Sequence, residues 1–412
     1  MRIYSFCLTV LLMFLMAACA LEERHPQLSG FAKLPAETFS AGPTSGQFIS
    51  VDDDRPLPFK NKQPVQGFSA ILKNGDGSFL VMPDNGFGSQ ENSADFILCV
   101  YEIRPNVRTA KGGAGDISFR PFLYLHDPDN KIDFPIVADM ETYPAGDGDI
   151  PVDETIKSRR LLTGADFDLE SLQRAPDGTL YFGDEFGPFI LHTDETGKLL
   201  EAPIPLPGVK SPQHPHLGSD TANLPRSAGF EGMALNKRAT TLYPMLEKPL
   251  VDQPGQINIY EFDLQSGKYR HSDAYNPPYQ FKLDAAAEAV CAFTALSDRE
   301  YLTIERDNEQ GEAARFKKVF YINLDKADAD GFLVKTEAVD LLNIADPDNL
   351  SGYGAGVFRF PFETPEGMLV MNANTLCIVN DNNFPFGRGR YPRDSGKIDE
   401  NEFILVRWAG SL

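Results

Sequence analysis

Apolar and polar positions alternate along this chain in short runs of about four to eight residues, broken by Gly, Pro, Asn and Asp. No long stretch carries the 3.6-residue apolar period of a helix. The runs form a repeated unit. Asp177-Gly178-Thr179-Leu180-Tyr181-Phe182-Gly183-Asp184-Glu185 reads as a turn, a strand and an acidic end. Gly75 to Asn85, Ala239 to Glu247, Asp298 to Asp307 and Asn374 to Asn383 follow the same order. A partner strand precedes four of the units, at Gly67–Leu72, Asp168–Leu172, Gly229–Leu235 and Glu288–Phe293. A third strand follows each, at Phe96–Ile103, Phe189–Thr193, Ile257–Leu264, Lys318–Leu324 and Glu402–Trp408.

An antiparallel meander recurring about every 50 to 70 residues is the mark of propeller blades, so the expected fold is an all-β propeller. A pair of β-sandwiches is the competing architecture. Five blades are legible. A sixth is expected from Leu28 to Val51 or from Phe119 to Leu125, with strands from both termini closing the ring. The two longest interruptions, Ala110 to Leu162 and Glu201 to Ala228, are rich in Pro, Gly and Asp and read as loops over one face.

The amino terminus departs from this pattern. Arg2, the apolar run Leu8 to Met16 and the small residues Ala17 and Ala18 before Cys19 read as a signal peptide. Met16-Ala17-Ala18-Cys19 resembles a lipobox, which makes Cys19 the expected lipidation site; ordinary cleavage near Ala20 is the alternative. The expected organisation is a signal peptide over 1–18, a short tether over 19–27 and a propeller domain over 28–412. A lipid chain tethers a protein to a membrane without spanning it. The expected location is therefore extracytoplasmic, in the periplasm or on the outer surface.

The net charge of -21 opposes nucleic-acid binding and suits a protein that collects divalent cations. Cys99, Cys291 and Cys377 lie in apolar strand-like runs and read as buried thiols, with no metal-ligand spacing.

Equivalent positions in blades surround one axis, so the repeat predicts a ring of carboxylates at one channel mouth. Glu170 and Glu231 occupy matching places on inner strands. Asp84, Asp184, Glu185, Glu247, Glu305 and Asp381 sit at the ends of the next strands. Crowded carboxylates repel unless they are protonated, paired or bound to a cation. Calcium or another hard divalent cation suits such oxygen donors. Glu170, Glu231, Asp184, Glu185, Asp84, Glu305 and Asp381 are the candidate metal ligands. Glu231, Asp184 and Arg306 are the candidate catalytic residues, with Arg306 a potential clamp for phosphate or carboxylate. Acids after strands also commonly brace turns, as expected for Asp76-Gly77 and Asp177-Gly178. His214-x-His216, Arg388 and Arg390 read as loop residues. The chain lacks a Gly-x-Ser-x-Gly elbow, a His-Glu-x-x-His helix and a phosphate-binding Gly-x-x-x-x-Gly-Lys loop.

The same segments resemble the family described as esterase-like activity of phytase. The resemblance rests on Gly229-Phe230-Glu231-Gly232-Met233-Ala234, Asp166 to Leu172 with Gly183 to Pro188, and Asp84 to Gly88. Glu305-Arg306-Asp307 and Asn380 to Pro385 complete the order. It is similar to β-propeller phytases, which use calcium to bind and cleave phosphate monoesters. The resemblance implies an exported, metal-dependent hydrolase of phosphate esters acting on a small anionic or ester substrate. The chain is then expected to be a monomer that meets a membrane only through its lipid. A lactonase-type hydrolase and a non-catalytic binding propeller are the alternatives.

Overall fold

The computed structural model describes residues 25–408 apart from 53, 147, 272–276 and 286. The signal segment and Cys19 therefore lie outside the described residues.

The alternating runs fold into five antiparallel blades, named here I to V, and a parallel bridge at Lys33↔Asp116 joins the outer strands of blades I and V into one sheet. Blade I runs outward through Ala70–Lys73, Phe79–Met82, Cys99–Asn106 and Asp116–Tyr124. Blade II comprises Leu169–Arg174, Leu180–Asp184, Phe189–Thr193 and Ile204–Pro205. Blade III starts with Gly232–Leu235 and Thr241–Met245, and its outer strands are each split in two. Blade IV comprises Ala289–Ala295, Glu300–Arg306, Lys317–Ala327 and Leu333–Asp340. Blade V comprises Gly367–Asn372, Thr375–Val379, Asn401–Arg407 and the amino-terminal strand Gln27–Leu34.

The five inner strands contact one another in a closed circuit from blade I through blade V and back to blade I. One apolar cluster fills each gap between neighbouring blades. Packing on both faces explains why Phe79–Met82, Leu180–Asp184 and Thr241–Met245 are buried at every position, polar residues included. The fold is an all-β propeller.

The described residues form five blades rather than the expected six. The first strand of Leu28–Val51 and the Phe119–Leu125 region belong to outer strands of other blades, and Phe39–Ala41 pairs with Lys62–Pro64 in a separate two-stranded sheet. Gln27–Leu34 pairs with Asn401–Arg407 from Gln27↔Arg407 to Leu34↔Asn401 and closes blade V. Asp116–Tyr124 is the outer strand of blade I, so the segment 110–162 is only partly loop. The rest of that segment includes the short helix Glu154–Arg159 and buries Ile132, Ile136, Ile156 and Leu161 in the cluster between blades I and II. Cys99, Cys291 and Cys377 are buried free thiols.

Five strands converging on one axis leave little room, and small residues stand where they crowd. A Cβ on Gly367 would lie 2.4 Å from Val379 Cγ2 and 3.1 Å from Ile71 Cγ2 of the next blade. A Cβ on Gly232 would meet Met245 Cε at 2.7 Å and Phe293 Cβ of blade IV at 3.0 Å. Gly232 thus permits the approach of a neighbouring strand.

Candidate metal centre at the channel mouth

Strand register converts the repeat into two rings of side chains. The first ring stands one residue before the small residue of each inner strand: Ser69, Glu170, Glu231, Cys291 and Glu366. The small residues that follow them are Ala70, Ser171, Gly232, Ala292 and Gly367. The second ring comes from the adjacent strands. Ala70 pairs with Met82, Ser171 with Gly183, Gly232 with Met245 and Gly367 with Val379. In blade IV, where Ala292 is bulged out, Cys291 pairs with Ile304. Two residues beyond each pairing position stand Asp84, Glu185, Glu247, Arg306 and Asp381. Asp84, Glu185, Glu247 and Asp381 lie just past the ends of their strands, and Arg306 is the last residue of its own.

Every acidic member of both rings is less than 10% exposed, as is Asp168 behind Glu170. The rings hold three and four carboxyls, and Asp168 makes the eighth. The cations beside them are Arg306 and Lys248. Arg306 Nη2 donates to Glu247 Oε1 at 2.7 Å, and Lys248 Nζ lies 2.7 Å from Glu247 Oε2. No salt bridge among the described residues involves Asp84, Asp168, Glu170, Glu185, Glu231, Glu366 or Asp381.

Burial pushes these carboxyls upward, and neighbouring carboxylates push them further. Glu170, Glu185, Glu366, Asp168 and Asp381 stand well above the ordinary carboxylate range. Burial raises Asp84 to about 6. Burial and then the Glu247 charge raise Glu231 to about 8, with Arg306 and Lys248 opposing.

The oxygens converge on ion-sized spaces. Asp84, Asp168 and Glu170 each offer an oxygen within 4.8 Å of the others, and so do Glu170, Glu185 and Glu231. Glu170 Oε2, Glu185 Oε1, Glu231 Oε1 and Glu366 Oε2 are buried without a hydrogen-bond partner. Such atoms are costly in a folded protein unless something satisfies them. The donor set, all carboxylate oxygen, matches a hard divalent cation. Below the mouth, the channel lined by Ser69, Glu170, Glu231 and Glu366 has a cavity of about 30 Å³. That is room for a water or an ion.

Two expected ligands fall outside the rings. Asp184 Oδ1 accepts the Asp168 N–H at 2.9 Å and its Oδ2 accepts the Gly187 N–H at 2.7 Å, so it braces the turn behind Glu185. Glu305 pairs with Lys335 and accepts the Asp284 N–H at 2.9 Å. Each is one residue out of phase with the ring position. Asp84, Glu170, Glu185, Glu231, Arg306 and Asp381 do line the mouth. Sequence reasoning missed Glu366 and Asp168 as site residues. Glu366-Gly367-Met368 repeats Glu231-Gly232-Met233, a signal present in the chain. The two histidines stand apart, with His216 Nε2 3.0 Å from Asp133 and His214 packed on Phe189. Arg390 forks onto Glu402 of the blade V strand Asn401–Arg407 at 2.7 and 2.9 Å, which ties its loop to the blade.

Residues 63–384 match the protein family described as phytase-like, esterase-like activity of phytase. A protein of Arthroderma benhamiae named as an uncharacterized secreted protein is 22% identical over 284 residues, covering 58% of this chain and 51% of the relative. The chain thus spans about half the length of that curated relative. Among solved structures, the PQQ-bound aldose sugar dehydrogenase of Streptomyces coelicolor is 12% identical at a TM-score of 0.36. It aligns with 91% of this chain and 99% of its own. A Lactobacillus plantarum protein is likewise 12% identical at a TM-score of 0.38, over 93% and 99% of the two chains.

Proposed function

Because the chain belongs to the phytase-like family, described as esterase-like activity of phytase, we propose that it is an exported, divalent-cation-dependent hydrolase of phosphate esters. The observation that carries this reading is the mouth itself. Buried carboxylate oxygens without partners face one another there, and one guanidinium stands in the second ring.

Asp84, Asp168, Glu170, Glu185 and Glu231 would hold the cation, and calcium is the ion their all-oxygen set suits best. A cation in that position supplies Lewis-acid polarisation of a phosphoryl oxygen. The chain's own residues supply placement. Arg306 supplies a guanidinium for an anionic group; Glu247 accepts from its Nη2 and Asn308 from its Nη1, and these bonds hold it in place. The apolar signal run before Cys19 supports export, and the name of the Arthroderma benhamiae relative, a secreted protein, accords with it.

The test uses the mature chain, assayed against phosphate monoesters, carboxylate esters and lactones, with calcium and with a chelator. Calcium-dependent release of phosphate is expected. Hydrolysis indifferent to chelation, or no phosphate release from any monoester, overturns the reading. A neutral ester or lactone substrate is the second reading. It is favoured by the scarcity of cations at the mouth, where among the described residues only Arg306 and Lys248 accompany eight carboxyls.

A further inference from the structure

The two groups of converging carboxylates share one residue, Glu170. Asp84 and Asp168 lie on its blade I side, and Glu185 and Glu231 lie on its blade III side. We infer that the mouth binds two divalent cations, not one, with Glu170 as the carboxylate that bridges them. This rests on the reading above that the mouth is a cation site, and it adds the number of ions and the ligand set of each.

Charge favours two. The paired acid, Glu247, is already satisfied by Arg306 and Lys248 on the blade III and IV side. The five acids of the two groups have no cationic partner among the salt bridges of the described residues. With one doubly charged ion, the carboxyls it does not reach must either keep their protons or carry uncompensated charge in a buried site, where the cost is highest. Unpartnered oxygens also occur at both ends of the second group and on the bridge itself: Glu185 Oε1, Glu231 Oε1 and Glu170 Oε2. On the first side, Asp84 Oδ1 accepts the Gly86 N–H at 2.8 Å and Asp168 Oδ1 accepts the Asn85 N–H at 3.1 Å. These bonds fix two ligands in place before any ion arrives. A bridging carboxylate joins the pair, and two ions side by side can clamp an anionic oxygen between them.

The arrangement also orients the mouth. The two cation groups occupy blades I to III, while Arg306 faces them from blade IV. An anion would sit between the ion pair and the guanidinium.

The experiment is metal stoichiometry on the chelator-treated, refilled full chain, by native mass spectrometry with calcium and by electron paramagnetic resonance with manganese. Wild type is expected to hold two ions and to give the exchange-coupled manganese spectrum of a bridged pair. Asp84→Asn and Glu185→Gln are each expected to retain one ion and to lose the coupling. Glu170→Gln is expected to lose coupling and to weaken both ions by at least tenfold. Should Glu170→Gln fail to fold, the two flanking variants still decide. A wild type with a single ion that either flanking variant abolishes overturns the pair while leaving the cation site intact. Two ions without coupling overturn the bridge. No bound ion overturns the pair and the cation-dependent reading together.

Discussion

Neutralising Glu231 should stabilise the metal-free protein at alkaline pH and remove much of its response to calcium. Burial and the Glu247 charge hold the Glu231 carboxyl at about 8, against 4.5 for an unburied glutamate. Between those values the unfolded chain has released the proton and the folded chain retains it. The folded state binds more protons, so stability falls as pH rises across that window. At ~1.4 kcal/mol per decade of proton affinity, complete ionisation costs the metal-free fold on the order of 5 kcal/mol. That is a large fraction of the roughly 5–15 kcal/mol that holds a typical domain together. A bound cation reverses the cost, and excess ligand at about a thousand times its Kd contributes about 4 kcal/mol.

Glu231→Gln keeps the shape and removes the ionisation. The assay is urea unfolding at pH 5, 6, 7 and 8, with chelator or with excess calcium, for both proteins. Metal-free wild type should lose stability steadily from pH 5 to 8, and the variant should lose less. Calcium should restore wild type at pH 8 and add little to the variant. Metal-free wild type that is flat or gains stability over that range would refute the electrostatic argument. An equal calcium gain in the two proteins would remove Glu231 from the ligand set.

Other consequences follow from the geometry. Gly367→Ala places a methyl 2.4 Å from Val379 Cγ2 and should lower stability by about 1–3 kcal/mol, read as a shifted denaturant midpoint with unchanged slope. Phe31→Ala empties a fully buried site on the ring-closing strand, where Phe31 packs edge-on against Tyr353 and Phe358. It should cost about 3–5 kcal/mol in the same assay. Glu305→Gln breaks the Lys335 pair and should lower thermal stability while leaving the calcium-induced rise in Tm as large as in wild type. Cys19→Ser should shift the protein from the membrane to the soluble fraction; equal membrane association in both forms refutes lipid anchoring.

The repeated turn, strand and acidic end were legible because each lies within a few residues, as a short apolar run between turn residues with an acid at its end. That local pattern already placed Glu231, Glu170, Asp84 and Asp381 in comparable positions and pointed to an all-β propeller. It did not decide the number of blades. The closing strand pairs Gln27 with Arg407, a contact spanning almost the whole chain that no local window contains. Nor did it decide between neighbours in the acidic ends. Asp184 and Glu185, like Glu305 and Arg306, are adjacent residues facing opposite ways, and a slip of one residue exchanges their environments. The bulge between Leu169 and Ser171 and the one between Cys291 and Phe293 shift that phase where it matters. Glu366 escaped notice because the inner strand of blade V was not recognised, though Glu366-Gly367-Met368 repeats the Glu231 tripeptide. Sequence thus determined which residue types recur and how often. Which carboxylates share a space was decided by the closed ring, because only the pairing of five strands around one axis sets which side of each strand faces the channel.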